Sequence, residues 1–199
     1  MNTTVPVVPP KSRPTIQREA ACFLKKWIPE AIRSEEPIEI DYIYDVILTE
    51  HYEIKTGYID LSSLGIGRGI LGFTDAETRQ SWITSSLADA TDTVGRRRFR
   101  ATVGHEIGHC IMHVPYLEKF RSASSRNCGE LCRACRSDLP AYKDPEWQAW
   151  EYGDELLMPT VLLKKLIKEG KNVQDLAKNF DLNPGYIKTR LKKLKIRLS

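Results

Sequence analysis

Arg96-Arg97-Arg98-Phe99-Arg100-Ala101-Thr102-Val103-Gly104-His105-Glu106-Ile107-Gly108-His109-Cys110-Ile111-Met112-His113-Val114 is the stretch on which the reading of this chain turns. Placed on a helix, Phe99, Val103, Ile107, Cys110, Ile111 and Val114 fall on one stripe, the spacing of a face packed into a core. His105 and His109 fall on a second face, one turn apart, where both imidazoles reach one ion at about the 2.0–2.1 Å that zinc requires. Glu106 lies one position round from His105, close enough to take a proton from a water activated there and too far round to be an easy ligand. This is the H-E-x-x-H arrangement of metal-assisted hydrolysis. His113 continues the face by a further turn. Met112 and Pro115 stand where the longer three-histidine pattern needs Gly and His, so His113 reads as a wall or substrate-contact residue rather than a ligand.

The bulk properties narrow the class. The chain has 199 residues, 41% hydrophobic and 28% charged, which suits a soluble globular domain with a small appendage and excludes a membrane span of eighteen or so apolar residues. Met1 to Pro14 holds four prolines and no apolar core before a small-residue cleavage site, so it is not a secretory signal and a cytoplasmic protein is expected. Five cysteines agree with a reducing compartment; Cys22 and Cys110 sit on apolar sides of predicted helices, where a thiol packs as a small hydrophobe. The net charge of +4 is unevenly shared: from Lys164 onward there are eleven Lys and Arg against three Asp and Glu, leaving −4 on the rest. The body is mildly acidic and the tail strongly basic.

Outward from the histidine helix, the period of the apolar residues predicts the other elements. Residues 1–14 read as a disordered or extended arm, since the prolines remove donors and little is available to bury. Thr15 caps a helix carrying Ile16, Ala20, Phe23, Leu24, Trp27 and Ile28, and a second short helix follows at Asp41 to Glu50. Tyr52 to Tyr58, Gly69 to Thr74 and Gln80 to Ser85 are short, rich in β-branched and aromatic residues, and predict a small antiparallel sheet. Ala88 to Gly95 is a polar connector, and Pro115 to Pro145 an irregular loop whose length suggests a function or a bound metal. Helices are predicted again at Glu146 to Met158 and Val161 to Glu169. The fold class is therefore α+β, with an arm over 1–14, a mainly helical metallopeptidase-like domain over 15–160 and a basic segment over 161–199.

A catalytic zinc takes three protein ligands and keeps one open position, so two histidines need a third residue. The residues alone leave His113, His51, Cys110, Glu146 and Glu151 as candidates.

Gly72-Phe73-Thr74-Asp75, Trp82-Ile83-Thr84-Ser85-Ser86, Arg97 to His109, and Glu146-Trp147-Gln148-Ala149 followed by Leu156-Leu157-Met158-Pro159 resemble the ImmA/IrrE family of metallo-endopeptidases. The likeness spans about residues 35–195. It implies a zincin-like fold, Zn²⁺ as cofactor, and His105, His109 and Glu146 as its ligands, with Glu106 as the proton-transferring base. It also implies a substrate: a helix-turn-helix repressor, cut to relieve repression in a mobile element or a stress response. One departure concerns Trp150, which stands where the family usually has Asn. A polar residue there is well placed to orient a ligating histidine, so Asp154 or a backbone carbonyl is expected to take over that role, and Glu151 is the fallback ligand. His113 and Tyr116 are candidates to steady an oxyanion or touch substrate. An extended peptide is expected to pair along Trp82, Ile83, Thr84 and Ser85.

Two further signals compete. Cys128, Cys132 and Cys135, with Arg126, Arg133 and Arg136 among them, can supply three thiolates to a second metal if a fourth ligand comes from elsewhere. Val173 to Leu194 reads as helix, turn, helix, with Asn183-Pro184 opening a final helix crowded by Lys188, Arg190, Lys192, Lys193, Lys195 and Arg197, a pattern that fits DNA as a partner. The alternative to a peptidase is thus a DNA- or repressor-binding regulator whose metal is structural.

Overall fold

The computed structural model describes residues 4–64, 69–127 and 133–198. The arm read as disordered or extended is extended at its start and held from Thr4 onward. β1 (Thr4–Pro6) pairs antiparallel with residues 133–135, Val5 and Val8 are buried, and the Lys11 amide donates to the Tyr142 carbonyl at 2.8 Å. Proline removes donors but leaves carbonyls and apolar side chains that find partners far away in the chain, which no local period reveals.

Ser12 caps α1 (Arg13–Trp27) by accepting from the Thr15 amide, Pro14 occupies the first turn, and Ile16, Ala20, Phe23 and Leu24 are buried. α2 (Ile40–Tyr42) and α3 (Leu48–Tyr52) form one helical run through a wider π turn at Ile43–Ile47 and bury Ile40, Ile43, Tyr44, Ile47 and Leu48. β2 (Lys55–Ile59), β3 (Gly72–Asp75) and β4 (Gln80–Thr84) then make a sheet in the order β2-β4-β3. β3 and β4 pair antiparallel around the turn that follows Asp75, but β2 and β4 run parallel, so this sheet is mixed rather than wholly antiparallel. Period-two alternation assigns the faces of a strand, not its direction; the chain between Ile59 and Gln80 is long enough for the crossover that parallel pairing needs.

After α4 (Ser85–Ala88), Asp92 caps α5 (Thr93–Met112), accepting from the Val94 and Gly95 amides, so the histidine helix starts before Arg96. The stretch read as irregular begins instead with α6 (Val114–Asn127), Pro115 in its first turn and the rings of Tyr116 and Phe120 6.3 Å apart one turn on. β5 (Arg133–Cys135) is the partner of β1. α7 (Pro145–Leu157), α8 (Thr160–Lys168), α9 (Val173–Asn179) and α10 (Pro184–Lys193) complete a mainly helical α+β protein.

A single hydrophobic cluster extends from Ile16 of α1 through Ile107 of α5 and Leu156 of α7 to Leu191 of α10. Between α7 and its neighbours lies a set of balanced charges. Arg13 donates to Glu151 at 2.7 Å, Lys193 to Asp154 at 2.8 Å, and the fully buried Arg190 to Glu155. Two of the cations that made the last helix read as basic therefore point inward. Lys188, Lys192, Lys195 and Arg197 are exposed and in no ion pair among the described residues. The first turn of α10, at Asn183, Gly185 and Tyr186, lines a cleft together with Arg98 and Ala101 of α5.

Candidate metal centre

Glu146 reaches the two histidines because α5 and α7 cross almost backbone to backbone. A methyl group on Gly108 would lie 2.5 Å from the Ala149 carbonyl oxygen, and one on Gly153 2.6 Å from the Gly104 carbonyl oxygen. Glycine inside a helix costs about 1 kcal/mol relative to alanine, so glycines on both facing helices mark a crossing that requires the space. Glu146 itself stands in the first turn of α7, where Asp144 accepts from its amide at 3.1 Å and is held in turn by Arg136 at 3.0 Å.

Three donors converge at that crossing. His105 Nε2 and His109 Nε2 are 3.1 Å apart; His105 Nε2 lies 3.3 Å from Glu146 Oε2, and His109 Nε2 3.3 Å from Glu146 Oε1. Tetrahedral ligands about 2.0–2.1 Å from a common zinc stand about 3.3–3.4 Å from each other; the two separations to Glu146 match this and the one between the histidines is slightly shorter. His105, His109 and Glu146 can thus hold a metal ion together. Charge leads to the same conclusion. Burial alone would raise the Glu146 carboxyl, but the hydrogen bonds with His105 and His109 reverse this and hold it well below the usual range. For His109, burial lowers and Glu146 raises, and the raising wins. The cluster favours a positive charge between its donors, whether a proton on His109 or an ion bound to all three.

The ring of His109 is oriented by a directional chain. Gln148 donates through Nε2 to the Pro9 and Tyr142 carbonyls, each at 2.9 Å, which leaves its Oε1 to accept from His113 Nε2 at 3.2 Å. His113 Nδ1 must then accept from His109 Nδ1 at 3.1 Å, and His109 Nε2 faces the cluster. Burial, followed by the neighbouring His109, pushes His113 down to about 3, so it is neutral as this chain requires. His113 is 4% exposed with both ring nitrogens engaged; it backs a ligand and is not the wall or substrate contact expected from sequence. His105 has no such chain. Its Nδ1 is buried without a partner among the described residues, and its ring stacks on Trp150 with centroids 4.2 Å apart.

Glu106 is held by a different chain. Thr74 donates to Glu106 Oε2 at 2.6 Å, Ser81 lies 3.0 Å from Thr74, and the buried Tyr44 hydroxyl donates to Ser81 at 3.0 Å. β3 passes directly over this carboxylate: a Cβ on Gly72 would sit 2.5 Å from Glu106 Oε1. Thr74, Ser81, Tyr44, Gln148 and Pro9 had no role in the sequence reading. The signal that could have found Ser81 is a hydroxyl beside Ile83 on the buried face of a strand.

The remaining candidates lie elsewhere. Glu151 is fully buried and engaged by Arg13, and Asp154 by Lys193, so neither is the fallback ligand or the partner of a ligating histidine. His51 stacks on Trp27, and Cys110 is a buried thiol pushed up to about 12 by burial. Tyr116 is half-buried in α6 and makes no hydrogen bond to the cluster among the described residues. Cys135 lies in β5, 3.0 Å from Ser137 Oγ, and joins no metal-binding group among the described residues; Cys128 and Cys132 lie outside them. Trp82, Ile83 and Thr84 belong to the central strand, whose two edges are already paired, and Ser85 opens α4. An added peptide strand cannot pair there, and the edge beside Glu106 that is unpaired among the described residues is that of β3. No helix of the described residues is long and apolar enough to cross a membrane. Compared with models of known protein families and with curated proteins, the chain matches none.

Proposed function

We propose that this protein is a zinc-dependent endopeptidase, with His105, His109 and Glu146 holding the ion and Glu106 as the catalytic base. The observation that carries the reading is the set of donor separations, 3.1, 3.3 and 3.3 Å, beside a carboxylate fixed by Thr74. Two imidazoles and one carboxylate are a donor set that suits zinc and leaves one position open. Bound there, zinc supplies a Lewis acid that polarises a peptide carbonyl and makes water a better nucleophile at neutral pH. The protein's own groups do the rest. The unpaired edge of β3 accepts an extended peptide as a further strand, which brings a scissile bond over Gly72 and Glu106. Glu106 takes the proton of the attacking water on a carboxylate oxygen and returns it to the leaving nitrogen. Thr74, donating to Oε2, keeps that carboxylate aimed at the peptide.

The substrate we propose is a helix-turn-helix repressor, on the strength of the family resemblance of residues 35–195; a basic DNA-binding partner also suits the acidic body. Incubation of the zinc-loaded protein with the repressor encoded beside it should yield two discrete fragments, absent with Glu106→Gln or a chelator. Intact repressor at full zinc occupancy would favour the alternative, a regulator that holds metal and binds without cutting. DNA binding is a second, separable property. Lys188, Lys192, Lys195 and Arg197 are the exposed cations with which to test it; Lys193, paired with Asp154, is a poor probe.

A further inference from the structure

The two histidines of the cluster are oriented by different physics. His109 has a hydrogen-bond chain through His113 and Gln148 to two main-chain carbonyls. His105, 8% exposed, has a buried Nδ1 with no partner among the described residues. A metal-bound histidine ordinarily needs a partner on its second nitrogen, because that bond fixes the plane of the ring and so the direction of the ligating lone pair. What His105 has instead is Trp150. The indole lies over the imidazole with centroids 4.2 Å apart and 28° between the planes, a stack slightly closer than the roughly 4.5–7 Å usual for aromatic pairs. Rotation of the imidazole about its side-chain bond would drive its edge into the indole face. Trp150 also lines a cleft of about 430 Å³ together with Arg98, Asn183 and Tyr186, so without the indole the imidazole loses both its guide and its cover.

We infer that Trp150 is the positioning residue of His105, fixing the ligand's ring plane by aromatic stacking where no described residue supplies a hydrogen bond. The inference rests on the reading of His105, His109 and Glu146 as a metal centre. A flat face is the property it requires, and this separates it from a merely structural role: any bulky apolar side chain fills the volume, but only an aromatic one sets the plane.

The test is a Co²⁺ titration of the full chain, competed against a chelator and followed by the visible bands of the bound ion, with circular dichroism confirming that each variant is folded. Trp150→Leu should bind Co²⁺ about 10–100-fold more weakly, the usual cost of losing an orienting partner, with altered bands. Trp150→Phe should remain close to the unaltered protein in both affinity and spectrum. If Trp150→Leu does not fold, Trp150→Met makes the same comparison. Equal affinity and bands in the aliphatic variant would overturn the assignment, and so would equal losses in the aliphatic variant and Trp150→Phe. Failure of the unaltered protein to bind Co²⁺ would remove the metal centre itself, a result visible in the first titration and distinct from the other two.

Discussion

On the proposed reading, Gly72 is the residue whose replacement separates holding the metal from using it. An alanine there would place its Cβ 2.5 Å from Glu106 Oε1 and 2.7 Å from Cγ, so the carboxylate must move. A displacement of about 1 Å at a catalytic group costs on the order of 100-fold in rate. Gly72→Ala should therefore lose about that much peptidase activity while keeping its zinc, measured by fragment formation alongside metal analysis; loss of the zinc as well would mean that Gly72 supports the whole cluster. Cys110 gives a prediction of a different kind. Its thiol is fully buried and pushed up to about 12, and the thiolate is the form that reacts. At neutral pH an alkylating reagent should label the exposed Cys22 in the folded protein and leave Cys110 untouched until the chain unfolds, which peptide mass mapping reads directly. Labelling of both at equal rates would show that the core around α5 opens readily.

The arm and α7 are elements whose roles depend on each other. Gln148 presents its Oε1 to His113 because its amide group is anchored on the Pro9 and Tyr142 carbonyls. A chain that begins at Lys11 loses the first of these anchors and the β1–β5 pairing, and its zinc affinity should fall by about 10–100-fold. Chelator competition on the shortened and full chains checks this, and equal affinities would leave the arm with a purely structural part. The helices of the site were legible in the sequence because His105, Glu106, His109 and the stripe through Ile107 repeat at the helical period. The arm was not, because β1 depends on a partner strand more than a hundred residues away and its prolines argue locally for disorder. The strand order was equally hidden. Trp82 and Ile83 alternate as strand residues should, yet nothing in that alternation says whether β4 has one neighbour or two. A helix starting at Glu146 was legible in the sequence; the distance of that residue from the histidines was not, since it depends on how closely Gly108 lets two helices approach.

Across the whole molecule, Glu151, Asp154 and Glu155 of α7 are neutralised by Arg13 from one end of the chain and Arg190 and Lys193 from the other. Removing one partner of a buried ion pair typically costs about 3–5 kcal/mol, because it strands the other charge. Arg190→Ala should destabilise the protein by about that amount in chemical denaturation, whereas Lys192→Glu on the exposed face should change stability by no more than about 0.5 kcal/mol. Comparable effects of the two would mean that the buried network is not a unit. The same arrangement bears on the order in which the parts of the molecule are secured during synthesis. At about 5–20 residues per second, the ribosome releases the helix bearing His105 and His109 several seconds before Arg190 and Lys193 emerge to join the carboxylates of α7. Until then the carboxylates of α7 lack two of their three cationic partners, so the charge network around that helix is completed only late in synthesis. A chain ending before Arg190 should therefore unfold at lower denaturant than the full sequence, and equal stability would show that α7 is held by its apolar face alone.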